Sequence, residues 1–230
     1  MLRNKLEKGG PKKSPFFFGL NNSMTREWDD YQSNGNSAKW RIENLNLKRF
    51  AGQDKTLLDI GANQGEFEIE LSKDFKHITA VEPFVPAPEL PENVTWVAKG
   101  FKEFIAGSHD TYDVVFSFAT TGEIRNNDKL NEDQIVKCHY HLVKPDGIIV
   151  YETHLLNIKD RKPYGDNDFL SALISGDLNI DINTYEKGSP RQKHTYKMLK
   201  AFREQFGKEI ESSNGRTFGK RKYYIFKKVT

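Results

Sequence analysis

A glycine-containing turn between two acidic residues is the part of this sequence best suited to chemistry. Asp59 lies at the end of a short apolar strand, Gly61 and Gly65 follow in a turn, and Glu82 ends the next strand. Glycines allow a ligand to approach the backbone closely, and a carboxylate at a strand end accepts hydrogen bonds from both hydroxyls of a ribose. The pattern therefore favours a nucleoside-binding βαβ unit, with an ordinary βαβ crossover as the alternative.

The helix after this turn is predicted to begin at Glu66, with Phe67, Ile69 and Leu71 facing the sheet. A dinucleotide-binding turn, Gly-x-Gly-x-x-Gly, would have its middle and last glycines at positions 63 and 66. This chain has Asn63 and Glu66 there. A pyrophosphate at the helix start would meet these side chains, one of them negative, so the spacing argues against a dinucleotide.

The acid-x-Gly-x-x-x-Gly pattern resembles motif I of the class I S-adenosylmethionine (SAM) methyltransferases, usually acid-x-Gly-x-Gly-x-Gly. An asparagine at the middle glycine is a variant also seen in that superfamily. The resemblance implies that Glu82 holds the ribose of SAM, and that the methionine end is held by four residues of the turn: Asp59, Gly61, Asn63 and Gly65. SAM carries a sulfonium cation and no phosphate, which suits an acidic turn.

The resemblance covers residues 37–230 and implies an α/β fold, a doubly wound and mostly parallel seven-stranded sheet with an antiparallel last strand. Residues 112–115 resemble motif IV, and residues 142–147 resemble the turn usually written Leu-x-Pro-Gly-Gly. Residues 155–191, in which the apolar pattern weakens, are expected to form an insertion after the fifth strand. The helix that follows is predicted to bury one face, formed by Tyr196, Leu199, Phe202 and Phe206.

The basic stretch at residues 220–228 has two interpretations. Its lysines and arginine are suited to phosphate binding. The alternation of lysines with Tyr223 and Ile225 is instead typical of an edge strand protected against aggregation. We favour the edge strand.

Further cofactor contacts follow from the resemblance alone. After the third strand it places the adenine at Gly100 and Phe101, and after the fourth strand it places the sulfonium beside Phe118. Both phenylalanines are explained equally well as core residues. The Lys39-Trp40-Arg41 stretch is similar to one in relatives of the tRNA wobble-uridine carboxymethyltransferases. That similarity makes Arg41 a candidate cofactor contact, with a solvent-exposed cation as the alternative.

Catalysis is assigned to the carboxyl end of the fifth strand, where doubly wound sheets bind ligands. Glu152 and His154 lie there, and a histidine in this place is suited to take a proton from a hydroxyl during methyl transfer. A loop histidine without a catalytic role is the alternative. No metal site is expected, because the chain has one cysteine and no carboxylate cluster with ligand spacing.

Residues 1–36 are predicted to form an N-terminal arm and an aromatic lid. Residues 16–31 contain five aromatic side chains, Phe16, Phe17, Phe18, Trp28 and Tyr31, whose surface is unfavourable in water. We expect this segment to close over the cofactor and the acceptor. Packing far from the site, or a dimer contact, is the alternative.

Length and composition set the remaining expectations. The 230 residues, 37% of them hydrophobic, suit one globular domain, and a net charge of +3 does not by itself indicate nucleic acid. Without a signal peptide or a membrane-spanning stretch in the sequence, a cytoplasmic protein with no membrane contact is expected.

The expected function is transfer of a methyl group from SAM to a hydroxyl or amine of a small molecule or sugar. RNA is the alternative acceptor, suggested by the wobble-uridine similarity and the basic ends of the chain. A SAM-binding protein without catalysis is the alternative from a different functional class. The oligomeric state stays open.

Overall fold

The computed structural model describes residues 37–153, 190–212 and 223–229. Within them the helices are α1 Ser37–Asn44, α2 Glu66–Leu71, α3 Phe101–Gly107, α4 Thr121–Asn127, α5 Glu132–Leu142 and α6 Pro190–Phe206. The strands are β1 Gly52–Ile60, β2 Phe75–Val81, β3 Val94–Val97, β4 Tyr112–Phe118, β5 Val143–Glu152, β6 Glu211–Ser212 and β7 Tyr223–Lys227. The predicted lid, His154 and most of the predicted insertion lie outside the described residues.

The strands form one sheet in the order β3-β2-β1-β4-β5-β7-β6. β1 pairs in parallel with β2 and β4, β5 pairs in parallel with β4, and β7 runs antiparallel to β5. The predicted α/β fold, with a mostly parallel seven-stranded sheet and an antiparallel last strand, is confirmed. The strand order reverses between β1 and β4. Sheets of this kind bind ligands at such a point, beyond the carboxyl ends of the strands.

β7 lies inside the sheet, so the prediction of an edge strand is wrong. It pairs with β5 from Glu152 to Ile148 on one side and with the short β6 on the other. Its residues from Tyr223 to Phe226 are buried, because packed helices cover both faces. The run of aromatic and β-branched residues, rather than the lysines around it, therefore determines the position of this strand.

Side-chain alternation along the strands divides the core between two faces of the sheet. On the first face, Leu58, Val115 and Tyr151 pack with residues of α3, α5 and α6. The four residues predicted for the buried face of α6 are all buried there: Tyr196, Leu199, Phe202 and Phe206. On the second face, Leu57 and Phe116 pack with residues of α1 and α2. By the same alternation Asp59 and Glu152 belong to the second face.

Helix α2 turns a carboxyl group, rather than an isoleucine, toward the sheet. Phe67 and Leu71 are buried as predicted, but Ile69 is 49% exposed and Glu68 is 0% exposed. At 3.6 residues per turn, residue 69 lies about 200° around the helix from residue 67, whereas residue 68 lies only about 100° away. The prediction that Ile69 faces the sheet is therefore wrong.

Within the described residues, no helix is long and apolar enough to cross a bilayer. The same part of the chain contains no group of three side chains suited to ligate a metal ion.

Candidate cofactor site at the carboxyl edge of the sheet

The turn between β1 and α2 contains three residues in the left-handed backbone region. Gly61, Asn63 and Gly65 have φ angles of 81°, 52° and 76°. Asparagine is one of the few residues besides glycine that adopts this conformation routinely, which explains how it replaces the middle glycine. The N–H groups of Gly61 and Ala62 donate to the Val81 carbonyl at 2.8 and 3.3 Å. The turn is therefore tied to the end of β2.

Gly61 and Gly65 also allow close packing within the chain. A Cβ atom on Gly61 would lie 2.1 Å from Cγ2 of Thr120, and one on Gly65 would lie 2.9 Å from Cγ of Pro88. Thr120 follows β4, and Pro88 belongs to the proline-rich loop after β2. Both glycines are thus required by the protein itself, in addition to any ligand that the turn binds.

The carboxylate of Glu82 joins the turn to the loop after β2. It accepts hydrogen bonds from the backbone N–H groups of Asn63, Phe84 and Val85, at 3.1, 2.8 and 3.3 Å. The residue is 8% exposed. An ionised carboxylate has about four acceptor positions, so these three donors leave about one for a further partner. The contacts fix the orientation of the side chain at the carboxyl end of β2.

Asp59 and Glu68 form a buried pair of acids behind the turn. Asp59 is 2% exposed, and its carboxyl lies within hydrogen-bonding reach of the Glu68 carboxyl. Burial raises the pKa of Asp59 to about 7, and the hydrogen bond to Glu68 and the Arg41 charge offset this only in part. Burial and the Asp59 charge raise the pKa of Glu68 well above its usual value. Two carboxyls hydrogen-bond only when one is protonated, so the pair holds a proton below about pH 7.

Arg41 on α1 is bound by Glu152 at the end of β5. Nε of Arg41 donates to Oε2 of Glu152 at 2.9 Å and Nη2 donates to Oε1 at 3.1 Å, while Nε also donates to the hydroxyl of Tyr223 at 3.0 Å. Arg41 and Glu152 are both 0% exposed. The alternative of a solvent-exposed Arg41 is therefore wrong. The predicted cofactor residue Arg41 and the predicted catalytic residue Glu152 form one ion pair.

Phe118 lies between this ion pair and helix α2. Its ring stacks on Phe67 at 4.8 Å between centroids, and the Arg41 guanidinium carbon lies 5.6 Å from its ring centroid. The residue is 7% exposed. Phe118 thus packs as the core interpretation predicts, at the carboxyl end of the strand where the sulfonium contact is predicted.

Gly100 and Phe101 lie at the start of α3, and Phe101 packs on the opposite face of the sheet from Phe118. Phe101 is 3% exposed and its ring centroid lies 5.0 Å from that of His139 on α5. A Cβ atom on Gly100 would lie 3.0 Å from Oδ1 of Asp128. Phe101 is therefore a core residue on the first face, and the adenine contact of both residues stays a prediction.

Two hydrogen-bonded rows hold the segment after β4, where Ala119 has a φ of 59°. In the first row, Ser117 Oγ lies 3.2 Å from both Nε2 of His139 and Oγ1 of Thr120. Burial lowers the pKa of His139 to about 4, so its ring is neutral at pH 7. Nδ1 of His139 lies 2.7 Å from the Ile135 carbonyl and donates to it, which leaves Nε2 to accept from Ser117.

The second row runs from α5 through α6 to the start of α4. Nδ1 of His194 lies 2.9 Å from Oε1 of Glu132, and Nε2 lies 3.2 Å from Oγ1 of Thr121. Burial opposes ionisation of Glu132, but the hydrogen bond with His194, a backbone hydrogen bond and the charges of His194 and Arg125 together outweigh it and lower the pKa of Glu132 to about 2. A left-handed alanine costs roughly 1–2 kcal/mol. The two rows supply contacts that hold this strained segment beside Gly61.

The structure brings together most of the site residues that the sequence predicts. Asp59, Arg41, Glu152 and Phe118 share the second face, and the turn and Glu82 adjoin Asp59. Sequence reasoning missed Glu68, although its position one residue after the buried Phe67 is a usable signal. It also missed the row from His139 to Thr120. No local sequence pattern predicts that row, because 22 residues separate His139 from Ser117.

A family model described as a methyltransferase domain matches residues 37–206 of the chain. No curated protein sequence matches it. Among solved structures, the N-methyltransferase NodS from Bradyrhizobium japonicum matches with a TM-score of 0.51 and 12% identity, over 91% of this chain and 99% of that chain. The complex of NodS with S-adenosyl-L-homocysteine matches with a TM-score of 0.52 and 14% identity, over 90% of this chain and 96% of that chain.

A TehB-like SAM-dependent methyltransferase from Corynebacterium glutamicum also matches, with a TM-score of 0.52 and 12% identity, over 90% of this chain and 96% of that chain. At these identities the solved structures show a shared fold.

Proposed function

The chain belongs to the methyltransferase-domain family and is a class I enzyme that uses SAM, and from this premise we propose that it methylates a hydroxyl or amine of a small molecule. We propose that SAM lies over the turn of Gly61, Asn63 and Gly65, with its ribose at Glu82. The observation that carries this assignment is the fixed Glu82 carboxylate, which three backbone N–H groups orient while one acceptor position stays open.

Charge supports this placement of a cationic cofactor. Asp59 and Glu68 lie behind the turn and Glu82 is hydrogen-bonded to it, while the guanidinium of Arg41 is bound by Glu152. A pyrophosphate at the turn would be repelled by these carboxyls, whereas a sulfonium or an ammonium would be attracted. Asp59, behind the turn, is the proposed partner of the methionine end.

The chain's part in catalysis is positioning. SAM supplies a methyl group on a positively charged sulfur, which leaves as a neutral thioether. The residues around the carboxyl ends of β4 and β5 would hold the acceptor atom in line with the bond that breaks and exclude water. Phe118 and Glu152 border that space, and Phe118 is the proposed neighbour of the sulfonium.

A hydroxyl or protonated amine must also lose a proton. His154 is the proposed base and would accept that proton on its ring. The proposed lid of residues 16–31 would close the space. Both lie outside the described residues.

Burial supports a small acceptor. Glu152 and Thr153 are 0% and 1% exposed, and Phe118 is 7% exposed, so the residues at the carboxyl ends of β4 and β5 are not on an open surface. An enclosed site suits a small molecule better than an RNA strand. RNA remains the second candidate because of the Lys39-Trp40-Arg41 stretch, and a non-catalytic SAM-binding protein is the third.

Calorimetry with SAM, S-adenosylhomocysteine and NADH tests cofactor choice. We expect both SAM compounds to bind and NADH not to bind.

The acceptor is tested by transfer of a labelled methyl group from SAM to fractions of small metabolites and to total RNA at two salt concentrations. Label in a small-molecule fraction supports the proposal. Label in RNA, lost steeply with added salt, favours the second candidate. SAM binding without formation of S-adenosylhomocysteine favours the third.

A further inference from the structure

Glu68 is a buried acid that the proposed cofactor contacts leave without a role. It is 0% exposed, and among the described residues neither of its carboxyl oxygens has a conventional hydrogen-bond donor. The neighbouring polar group is the carboxyl of Asp59, which is itself 2% exposed. Buried polar groups are nearly always hydrogen-bonded, so an acid in this position requires an explanation. A proton between the two carboxyls provides one.

Within the described part of the chain, the charged groups around the pair come from three elements and the loop after β2. Asp59 on β1 faces Glu68 on α2, the Glu82 carboxylate after β2 and the Arg41 guanidinium on α1. Glu66, in the first turn of α2, adds a further negative charge near Glu68. Arg41 is the cation of this set, and its two hydrogen bonds to Glu152 direct it toward another carboxylate. Among the described residues, the pair therefore has no cation that is not already bound by another carboxylate.

We propose that the Asp59–Glu68 pair holds one proton in the free protein and releases it to solvent when SAM binds, so that Glu68 is a positioning residue for a cationic cofactor. This inference rests on the proposed function, in which Asp59 lies at the methionine end of SAM. A bound ammonium or sulfonium favours the ionised form of a nearby carboxyl. In the free protein the shared proton takes the place of that cation, because it prevents repulsion between the two buried acids.

Linkage makes this exchange measurable. If binding releases a proton, the affinity for SAM must increase with pH by up to tenfold per pH unit, over the range in which the free pair is protonated. We expect this increase at and below about pH 7, the pKa of Asp59 in the free protein. SAM itself changes little in charge at the lower end of this range, because its α-amino group titrates at higher pH.

The test is calorimetry of SAM binding at pH 6.5 in two buffers of different ionisation enthalpy, phosphate and imidazole. The difference between the observed enthalpies gives the number of protons released, which we expect to be close to one for the wild-type protein. Glu68→Gln keeps the shape of the side chain and offers an amide donor to Asp59 but cannot carry the shared proton, so it should release fewer protons than the wild-type protein and bind SAM with a shallower pH dependence. Part of the dependence remains, because Asp59 stays buried. Glu70→Gln is the matched control, because it removes the same charge from an exposed position on the same helix.

Equal enthalpies in the two buffers for the wild-type protein overturn the inference, and so does unchanged proton release in folded Glu68→Gln. The wild-type measurement decides the matter even if Glu68→Gln does not fold. Failure of the wild-type protein to bind SAM at all would instead contradict the proposed function. The two failures are therefore distinguishable.

Discussion

The two buried ionisable pairs on the second face of the sheet neutralise their buried charge in different ways. Arg41 and Glu152 carry opposite charges and satisfy each other through two hydrogen bonds. Asp59 and Glu68 carry the same charge, and together they need a proton. The first pair is complete without a ligand, whereas the second is stable only with a proton or a cation. The contrast indicates that the first pair fixes geometry and the second responds to the cofactor.

The largest effect should follow from breaking the complete pair. Arg41→Met leaves the Glu152 carboxylate buried without its cation and should lower the free energy of unfolding by about 3–5 kcal/mol. Urea denaturation checks this value. The double variant Arg41→Met, Glu152→Leu should recover most of the loss, because an apolar pair of similar volume is often tolerated. A loss of under about 1 kcal/mol in the single variant would mean that the pair contributes no more than a surface ion pair.

The acid pair should respond to pH in the opposite direction from ordinary acids. The pKa of Asp59 is about 7 in the folded protein and 3.8 for the ordinary side chain. The folded state therefore binds more protons between these values, and this contribution to stability is lost as the pH rises through about 7. Glu68 adds to this loss, because its own pKa is raised well above the usual value. Glu68→Gln removes that contribution, so its stability relative to wild type should increase by up to about 1.4 kcal/mol per pH unit.

The comparison with Glu68→Gln is needed because another buried group has the opposite dependence. The pKa of His139 falls from 6.5 to about 4 on folding. The unfolded chain then binds the extra proton between those values, so this contribution rises with pH and partly cancels that of Asp59 in the wild-type protein. His139 contributes equally to both proteins, so its contribution cancels in the difference between their free energies of unfolding. Parallel stability curves from pH 5 to 8 would contradict the assignment of the pair.

Glu82 provides a third way to bury a carboxylate, with backbone donors rather than a cation or a proton. Glu82→Ala should weaken SAM binding by about 2 kcal/mol, because the charge-assisted hydrogen bond to the ribose is lost and the turn is released from its N–H contact with this carboxylate. Calorimetry at pH 8 measures this loss apart from the proton linkage. Wild-type affinity in a folded variant would remove Glu82 from the cofactor site.

The smallest effect is expected at an exposed ion pair that serves as the reference for the others. Arg49 and Glu211 form a salt bridge with side chains 35% and 47% exposed. Arg49→Ala should change the free energy of unfolding by less than about 1 kcal/mol, and the change should shrink in 1 M salt. A change as large as that of Arg41→Met would show that exposure does not separate the two ion pairs.

The sequence predicts the fold and the turn well, because both are set by local patterns. Glycines at 61 and 65 and an asparagine at 63 are compatible with a left-handed turn, and apolar runs mark the central strands. The pairs are harder to predict. Arg41 and Glu152 are 111 residues apart, and no local rule joins them. Glu68 was missed because charged residues of short helices are usually exposed, and Ile69 offered an apolar alternative.

The place of β7 between β5 and β6 has a consequence for how the protein is made. β5 ends at residue 152 and β7 ends at residue 227, so 75 residues of synthesis separate them. At a translation rate of about 5–20 residues per second, the Ile148–Tyr151 edge waits roughly 4–15 s on the ribosome for its antiparallel neighbour. An apolar strand edge left open for seconds favours association between nascent chains. Protection by a chaperone during that interval should therefore raise the yield of folded protein.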